Sequence, residues 1–444
     1  MEIVSQVAVA MQAVFGTTLD ILARTTGCVQ RQRKFSGMSL LRTLVLTLLY
    51  RPGAKDRDYR ATAARLNVFV TEEAIAHRFT DGLVQFLAEA LKHTVCQALA
   101  AKPLPATLLL KFTELWIGDS TTLSLPDELA KQFPGCGGSE KAGKAAMKIQ
   151  VLWSLKTGQL LQWLIESGRA SDAKSEIAAT VPPAGSLSIL DLGYFSLERF
   201  RRIEDAKAYW ISRFQHNTKV FDETGKQLSL LRFLQEHGEN GLVDMPVVLG
   251  EKDRLPCRLI ALRVPPEVAA RRRQQACEKA RDHGRQASQE YLNLLEWTIF
   301  LTNCPPELLS WKEVVVLYRA RWQIELLFKL WKSHNRLAQR EVDASPQRQM
   351  AVLYAKLIGV IVQHWILLTA TWSDGQRSLR KAAAVVQDWI VLFSEVLDDL
   401  HRLGDLLYRL QAAIANTARV TPRKKHPSLF QLLENPELLE YTVC

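Results

Sequence analysis

The chain has 444 residues, of which 48% are apolar and 23% charged, enough hydrophobic material for a large core and too much for a disordered protein. Lys and Arg number 57 against 46 Asp and Glu, and the net charge of +11 favours a polyanionic partner, nucleic acid before an acidic membrane face. At roughly 150 residues per domain, the length corresponds to about three domains.

The chain opens Met1-Glu2-Ile3-Val4-Ser5-Gln6, without the basic segment of a secretory signal. Residues 1–100 read as helical. Between Arg24 and Arg65, ten basic residues (Arg24, Arg31, Arg33, Lys34, Arg42, Arg51, Lys55, Arg57, Arg60 and Arg65) face only Asp56 and Asp58. A charge run is most often a solvated face, but so local an excess makes nucleic acid an equal reading. Asp58 to Leu66, a break at Asn67-Val68-Phe69-Val70, and Thr71 to Phe79 resemble a helix-turn-helix. In that reading Thr71 caps the second helix, Ile75 faces inward, and His77 and Arg78 face outward. Any short helical hairpin would give the same pattern.

Lys102-Pro103-Leu104-Pro105 reads as a linker, after which the pattern changes to short strands. Leu115 to Ile117 and Lys148 to Leu155 are the first two. Lys156-Thr157-Gly158 turns into a third, Gln159 to Glu166. A helix over Ser171–Ala179, a strand at Leu187–Leu190, a helix over Ser196–Ala206 and a strand at Tyr209–Phe214 follow. Hairpin strands followed by α-β-α-β describe a mixed α/β sheet. Between 216 and 300, strand-like pieces at Val247–Leu249, Arg258–Val264 and Leu295–Phe300 surround a polar helix from Glu267 to about Arg285, the pattern of a β-rich insertion. From Leu309 onward the chain reads as helical. The apolar window Leu357–Trp372 is interrupted by Gln363 and His364 and reads as a buried helix, not a membrane span. Leu379–Ile414 is amphipathic, and Thr421-Pro422-Arg423-Lys424-Lys425-His426-Pro427 is a basic loop. The seven cysteines (28, 96, 136, 257, 277, 304 and 444) include no C-x-x-C pair, which leaves zinc and dithiol motifs unsupported and suits a reducing cytoplasm.

The segment Tyr318 to Lys332 carries the strongest signal. On a helix at about 100° per residue, Tyr318, Arg321, Glu325, Lys329 and Lys332 share roughly an 80° arc. Ile324, Leu326, Leu327, Leu330 and Trp331 spread over much of the remainder. A surface helix has the reverse proportions. A surface Arg321–Glu325 pair would be ordinary, but it leaves a Tyr and two Lys in the same arc unexplained. A carboxylate among phosphate-binding cations suggests a metal ligand. Two more carboxylates follow strands: Asp119 after Leu115-Trp116-Ile117-Gly118, and Asp191 after Leu187-Ser188-Ile189-Leu190. Asp after a strand is often only a turn or cap residue, and here the set of three carries the argument.

Tyr318-x2-Arg321-x3-Glu325-x6-Lys332 resembles the YREK signature of bacterial insertion-sequence DDE transposases of the insertion-sequence-four group. Asp119-Ser-Thr-Thr resembles the first Asp motif of that family, Asp191-Leu-Gly-Tyr-Phe the second, and Trp297-Thr-Ile-Phe-Leu-Thr-Asn the strand ahead of the signature in cut-and-paste members. The match spans about residues 110 to 340. The resemblance implies an α/β, RNase H-like mixed-sheet catalytic core interrupted by a β-rich insertion and flanked by helical regions. The expected domains are a basic DNA-binding region at 1–100, the core at 101–215, the insertion at 216–300, the signature helix at 301–345, and a helical region at 346–444 that supports a dimer.

It further implies two Mg2+ ions, replaceable by Mn2+, held by Asp119, Asp191 and Glu325, the catalytic carboxylates. Tyr318, Arg321, Lys332 and Lys329 would hold DNA phosphates. Trp297 would support a flipped base, or else be a core aromatic. The partners implied are double-stranded DNA, as transposon-end inverted repeats and target, and a second copy of the chain in a synaptic complex. No membrane is implied, and the site of action would be the cytoplasm at the bacterial nucleoid. Two other readings share these residues: a divalent-metal nuclease without strand transfer, and a catalytically silent DNA-binding remnant.

Overall fold

A computed structural model describes residues 2–31, 34–136, 144–282, 284–341, 344–372, 374–421 and 426–439. Arg33, Cys444 and residues 422–425 of the basic loop lie outside the described residues. The strands are β1 (Leu115–Leu125), β2 (Ala145–Ser154), β3 (Leu160–Ser167), β4 (Leu187–Leu190), β5 (Tyr209–Arg213), β6 (Val220–Phe221), β7 (Leu242–Leu249), β8 (Leu255–Arg263) and β9 (Trp297–Thr302). The expected strands are all present, and β6 is additional. β1 continues well past Ile117, because Thr121, Leu123 and Leu125 alternate inward with Thr122 and Ser124 outward. The helix expected over Ser171–Ala179 is a 3-10 turn at Asp172–Lys174 and a single turn at Glu176–Ala179. Ser175 restarts it by accepting a bond from Ala178 N–H at 3.2 Å.

The described residues form two compact units, each assembled from separate stretches. The first comprises Met1–Leu104, Ser120–Ala170 and Ile324–Thr421. The helical region expected as the first domain and the expected last one as far as Thr421 therefore share one body. Its centre is the helix Pro346–Leu368, buried from Met350 onward, as expected of a core helix. The helices Gly37–Tyr50 and Asp81–Val95 pack against it. Gly359 permits the close approach, since a Cβ there would lie 3.1 Å from Leu49 Cγ. Charges also tie the ends together. Arg348 reaches Asp56 and Glu341, both at 2.6 Å. Arg42, 4% exposed, donates to Phe15 O and Asp398, so one residue of the basic cluster is structural.

The other described residues of the cluster are exposed. Arg57, Arg60 and Arg65 are exposed on the helix Asp56–Arg65, opposite buried Tyr59, Thr62 and Ala63. Thr71 caps the next helix as expected, but that helix is only Glu72–Ala76, shorter than a groove-reading helix requires. Ile75 is buried and His77 exposed, whereas Arg78 is half-buried over the Phe35 ring.

In the same unit β1 neighbours β2, which forms an antiparallel hairpin with β3. Gly158 closes that hairpin at φ +70°, and a Cβ there would meet Leu368 and Trp372 at 2.5 Å. Its carbonyl accepts from Trp153 Nε1 at 3.0 Å and from His364 Nε2 at 2.7 Å.

The second unit comprises Pro105–Asp119, Ser171–Gln323 and Pro422–Cys444. Its strand order is β1-β4-β5-β9-β8-β7-β6. β1, β4 and β5 are parallel, and β9 joins β5 antiparallel with Ile211 opposite Thr302. The strands of the expected insertion continue this sheet. One face carries a core in which Phe200 stacks on Trp210, with ring centroids 4.1 Å apart. The helix expected over Glu267–Arg285 is Pro266–Asp282 and buries only Ala269. The six described cysteines carry free thiols.

Burial lowers the His364 pKa from 6.5 to about 4. Between those values the unfolded chain binds a proton that the folded chain excludes, so stability is fully present above 6.5 and is lost as pH falls toward 4. Urea denaturation at pH 7 and pH 5 is expected to show this loss, up to about 3 kcal/mol in full. It is expected to shrink in His364→Gln, which keeps a donor for the Gly158 carbonyl but does not titrate.

Candidate active site

Two parallel strands bring the aspartates together. β1 and β4 pair through Gly118 opposite Leu190, so the next residue on each strand is Asp119 and Asp191. The Asp191 N–H donates to Gly118 O at 3.2 Å, extending the ladder one step. Parallel neighbours lie about 4.8 Å apart, which sets the two carboxylates side by side. Asp191 follows its strand as expected, and its Oδ2 accepts from Gly193 N–H at 3.4 Å across a 3-10 turn. Asp119 departs from expectation, since it lies within β1 and not after it.

Behind β4, Arg199 is 2% exposed and donates to Ser188 Oγ at 3.2 Å and Ala178 O at 3.0 Å. Desolvation brings its pKa down to about 9. It links the helix Leu197–Asp205 to the strand residue three positions before Asp191.

Both carboxylates meet Arg321. Its Nη1 is 3.1 Å from Asp119 Oδ2 and 3.4 Å from Asp191 Oδ1. The Arg321 and Asp119 side chains are each 14% exposed and that of Asp191 is 41% exposed. Two adjacent anions are thereby offset by one shared cation.

Arg321 stands at a junction in the signature segment. A capping box at Ser310 and Glu313 starts the helix Trp311–Ala320. At Arg321 the N–H bonds back to Tyr318 O at 3.1 Å, a tighter three-residue turn. The helix Trp322–Lys329 follows, and then a π-helical turn, Leu330–His334. The segment is therefore not one straight helix, and the arc calculated at a uniform turn does not extend to Lys332. Tyr318 packs edge-on against Phe300 at 5.2 Å, with Arg321 5.9 Å from its ring. Burial pushes its hydroxyl pKa up, against the opposing effect of Arg321 and Arg213.

The remaining expected residues are dispersed in environment. Glu325 is half-buried in the first turn of Trp322–Lys329, and Lys329 is exposed. Lys332 is half-buried, and burial lowers its pKa. Among the described residues, no three His, Cys, Asp or Glu side chains gather closely enough to hold a metal ion. Within the second unit, Asp119, Asp191, Arg321 and Tyr318 lie close together. The two aspartates still fit a hard divalent cation, because they present oxygen donors that converge on a single positive group.

Trp297 is a core aromatic. It is 3% exposed and belongs to the core of the second unit. A Cβ on Gly238 would fall 2.4 Å from its ring. In this structure the ring faces the core, the second of the two readings the sequence offered. Sequence reasoning also missed Arg213, at the end of β5, whose guanidinium lies over the Phe300 ring at 5.3 Å. An arginine ending a strand parallel to the two Asp-bearing strands was the available signal.

Residues 111–356 match the family model described as the transposase DDE domain. The chain belongs to that family. The transposase for insertion sequence element IS231F of Bacillus thuringiensis subsp. israelensis is 27% identical over 459 residues, covering 96% of this chain and 94% of that protein. The transposase for IS1151 of Clostridium perfringens is 25% identical over 318 residues, 67% of each chain. That for IS421 of Escherichia coli is 27% identical over 355 residues, covering 78% of this chain and 89% of its own. The protein is an insertion-sequence transposase, an enzyme of DNA cleavage and strand transfer.

Arg199→Ala is expected to destabilise the fold by about 2 kcal/mol or more, through a cavity and two unsatisfied buried acceptors. Urea denaturation at pH 7 measures it.

Proposed function

We propose that the protein cuts and rejoins the ends of its element with Asp119, Asp191 and Glu325 as ligands of two Mg2+ ions, replaceable by Mn2+. The observation that carries this reading is the convergence of Asp119 and Asp191 on one cationic nitrogen, inside the segment that matches the DDE domain. Bound divalent cations would stabilise the attacking and leaving oxygens of phosphoryl transfer and generate the hydroxide nucleophile near neutral pH.

The chain's own residues supply position. Arg321, Lys332 and Lys329 carry positive charge along the signature segment and would hold phosphates of the DNA ends, with Tyr318 contributing a hydroxyl. Water attacks the phosphodiester at the element's end, and the freed 3′-hydroxyl attacks a second phosphodiester in the target. The exposed Arg57, Arg60 and Arg65 favour the N-terminal helices as the surface for the terminal inverted repeats. Joining two ends calls for two copies of the chain, a homodimer on DNA at the nucleoid. A nuclease with the same carboxylates would cut without joining.

Asp119→Asn, Asp191→Asn and Glu325→Gln are each expected to reduce cleavage and strand transfer to background while duplex binding survives. A gel assay with labelled element ends, a target plasmid and Mg2+ reads both steps. Strand transfer retained by any of the three would overturn its assignment, and cutting without joining by the unaltered chain would favour the nuclease. Removing one phosphate contact, as in Arg57→Ala or Arg65→Ala, should flatten the salt dependence of DNA binding by about one unit of slope. An unchanged slope would place the DNA elsewhere.

A further inference from the structure

We propose that Arg321 is a positioning residue that holds the two metal-binding carboxylates together in the ion-free protein and surrenders them to a divalent cation, turning to a DNA phosphate as it does so. The inference rests on the reading of Asp119 and Asp191 as cation ligands.

Three observations carry it. A single nitrogen, Nη1, serves both carboxylates, at 3.1 and 3.4 Å, so Arg321 stands where a bridging cation would need to stand. The Arg321 and Asp119 side chains are only 14% exposed, while Asp191 is 41% exposed, so a solvated ion reaches the pair from the Asp191 side. Arg321 also occupies the junction between two helices, where its N–H makes a three-residue bond to Tyr318 O. A tightened turn inside a helical run often marks a hinge.

The electrostatics then require an exchange. A divalent cation on the same oxygens repels a guanidinium a few ångströms away, and both compete for the same lone pairs. Once displaced, Arg321 is a fork-shaped cation beside the place where the phosphate is bound, and phosphate suits its geometry. A cation shared between carboxylates and phosphate makes the two binding events strengthen each other, since DNA draws Arg321 away from the metal ligands and metal drives it toward DNA.

The test is Mn2+ binding to the full chain by calorimetry, with and without double-stranded DNA of arbitrary sequence at low salt, together with melting temperatures in the absence of metal. Without DNA, Arg321→Gln is expected to bind Mn2+ about tenfold tighter than the unaltered chain. Its ion-free melting temperature should fall, and Mn2+ should restore it. DNA should tighten Mn2+ binding in the unaltered chain and leave it unchanged in Arg321→Gln. Arg321→Lys, which retains a shorter and less well matched cation, should shift Mn2+ affinity the same way by about threefold, and it decides the matter if the Gln variant does not fold. Equal or weaker Mn2+ binding in these variants would overturn the proposal, provided Asp119→Asn and Asp191→Asn still abolish binding. Mn2+ binding that persists in both Asn variants would instead overturn the assignment of the carboxylates as ligands.

Discussion

The site depends on a problem of like charges. Parallel pairing of β1 and β4 carries Asp119 and Asp191 to adjacent positions, and two carboxylates about 5 Å apart repel by about 3 kcal/mol at the effective dielectric of a protein surface. Arg321 supplies a cation to both through a single nitrogen. An arrangement that needs positive charge before any ion or DNA is present is suited to receiving both.

The surrounding fold makes the strand ends dependable. The buried Arg199 fastens Ser188, three residues ahead of Asp191, to the helical turn at Ala178. On the other side of β5 the sheet continues through β9, β8, β7 and β6, with a core that encloses Trp210 and Trp297. This extension gives β5 a partner on its outer edge and keeps Phe300 against Tyr318. The position of the signature segment is thus set partly by strands that themselves carry no chemistry.

Strands were legible wherever apolar alternation and a turn agreed. β4 matches its expected bounds, because Leu187-Ser188-Ile189-Leu190 is bracketed by a glycine turn and an aspartate cap. The β2–β3 hairpin was legible from Lys156-Thr157-Gly158, since Gly158 takes the left-handed conformation. The length of β1 was not legible, because Asp119-Ser120-Thr121-Thr122 reads locally as a turn and its pairing partners are distant in sequence. The signature segment was read correctly as helical, but its break at Arg321 and its π turn leave no mark on hydrophobic periodicity. Trp297 illustrates a different limit. A strand tryptophan has the same neighbours in sequence whether its ring faces a core or a ligand, and only packing against the segment around Gly238 decides between them.

The sequence by itself determined the class of protein and named the residues for which a chemistry is proposed. Residue types at fixed spacing, Asp119, Asp191 and Tyr318-x2-Arg321-x3-Glu325-x6-Lys332, are local properties that survive without knowledge of the fold. The identity as an insertion-sequence transposase follows from the family match and the named relatives. Tertiary structure alone decided how those residues are shared out. It placed Arg321 on both aspartates, turned Trp297 inward, and wove residues 1–104 and 324–421 into one body around Pro346–Leu368. Each of these outcomes is a contact between residues far apart in the chain. A pattern confined to a few neighbouring positions carries no information about which distant partner satisfies a buried charge or covers an apolar face.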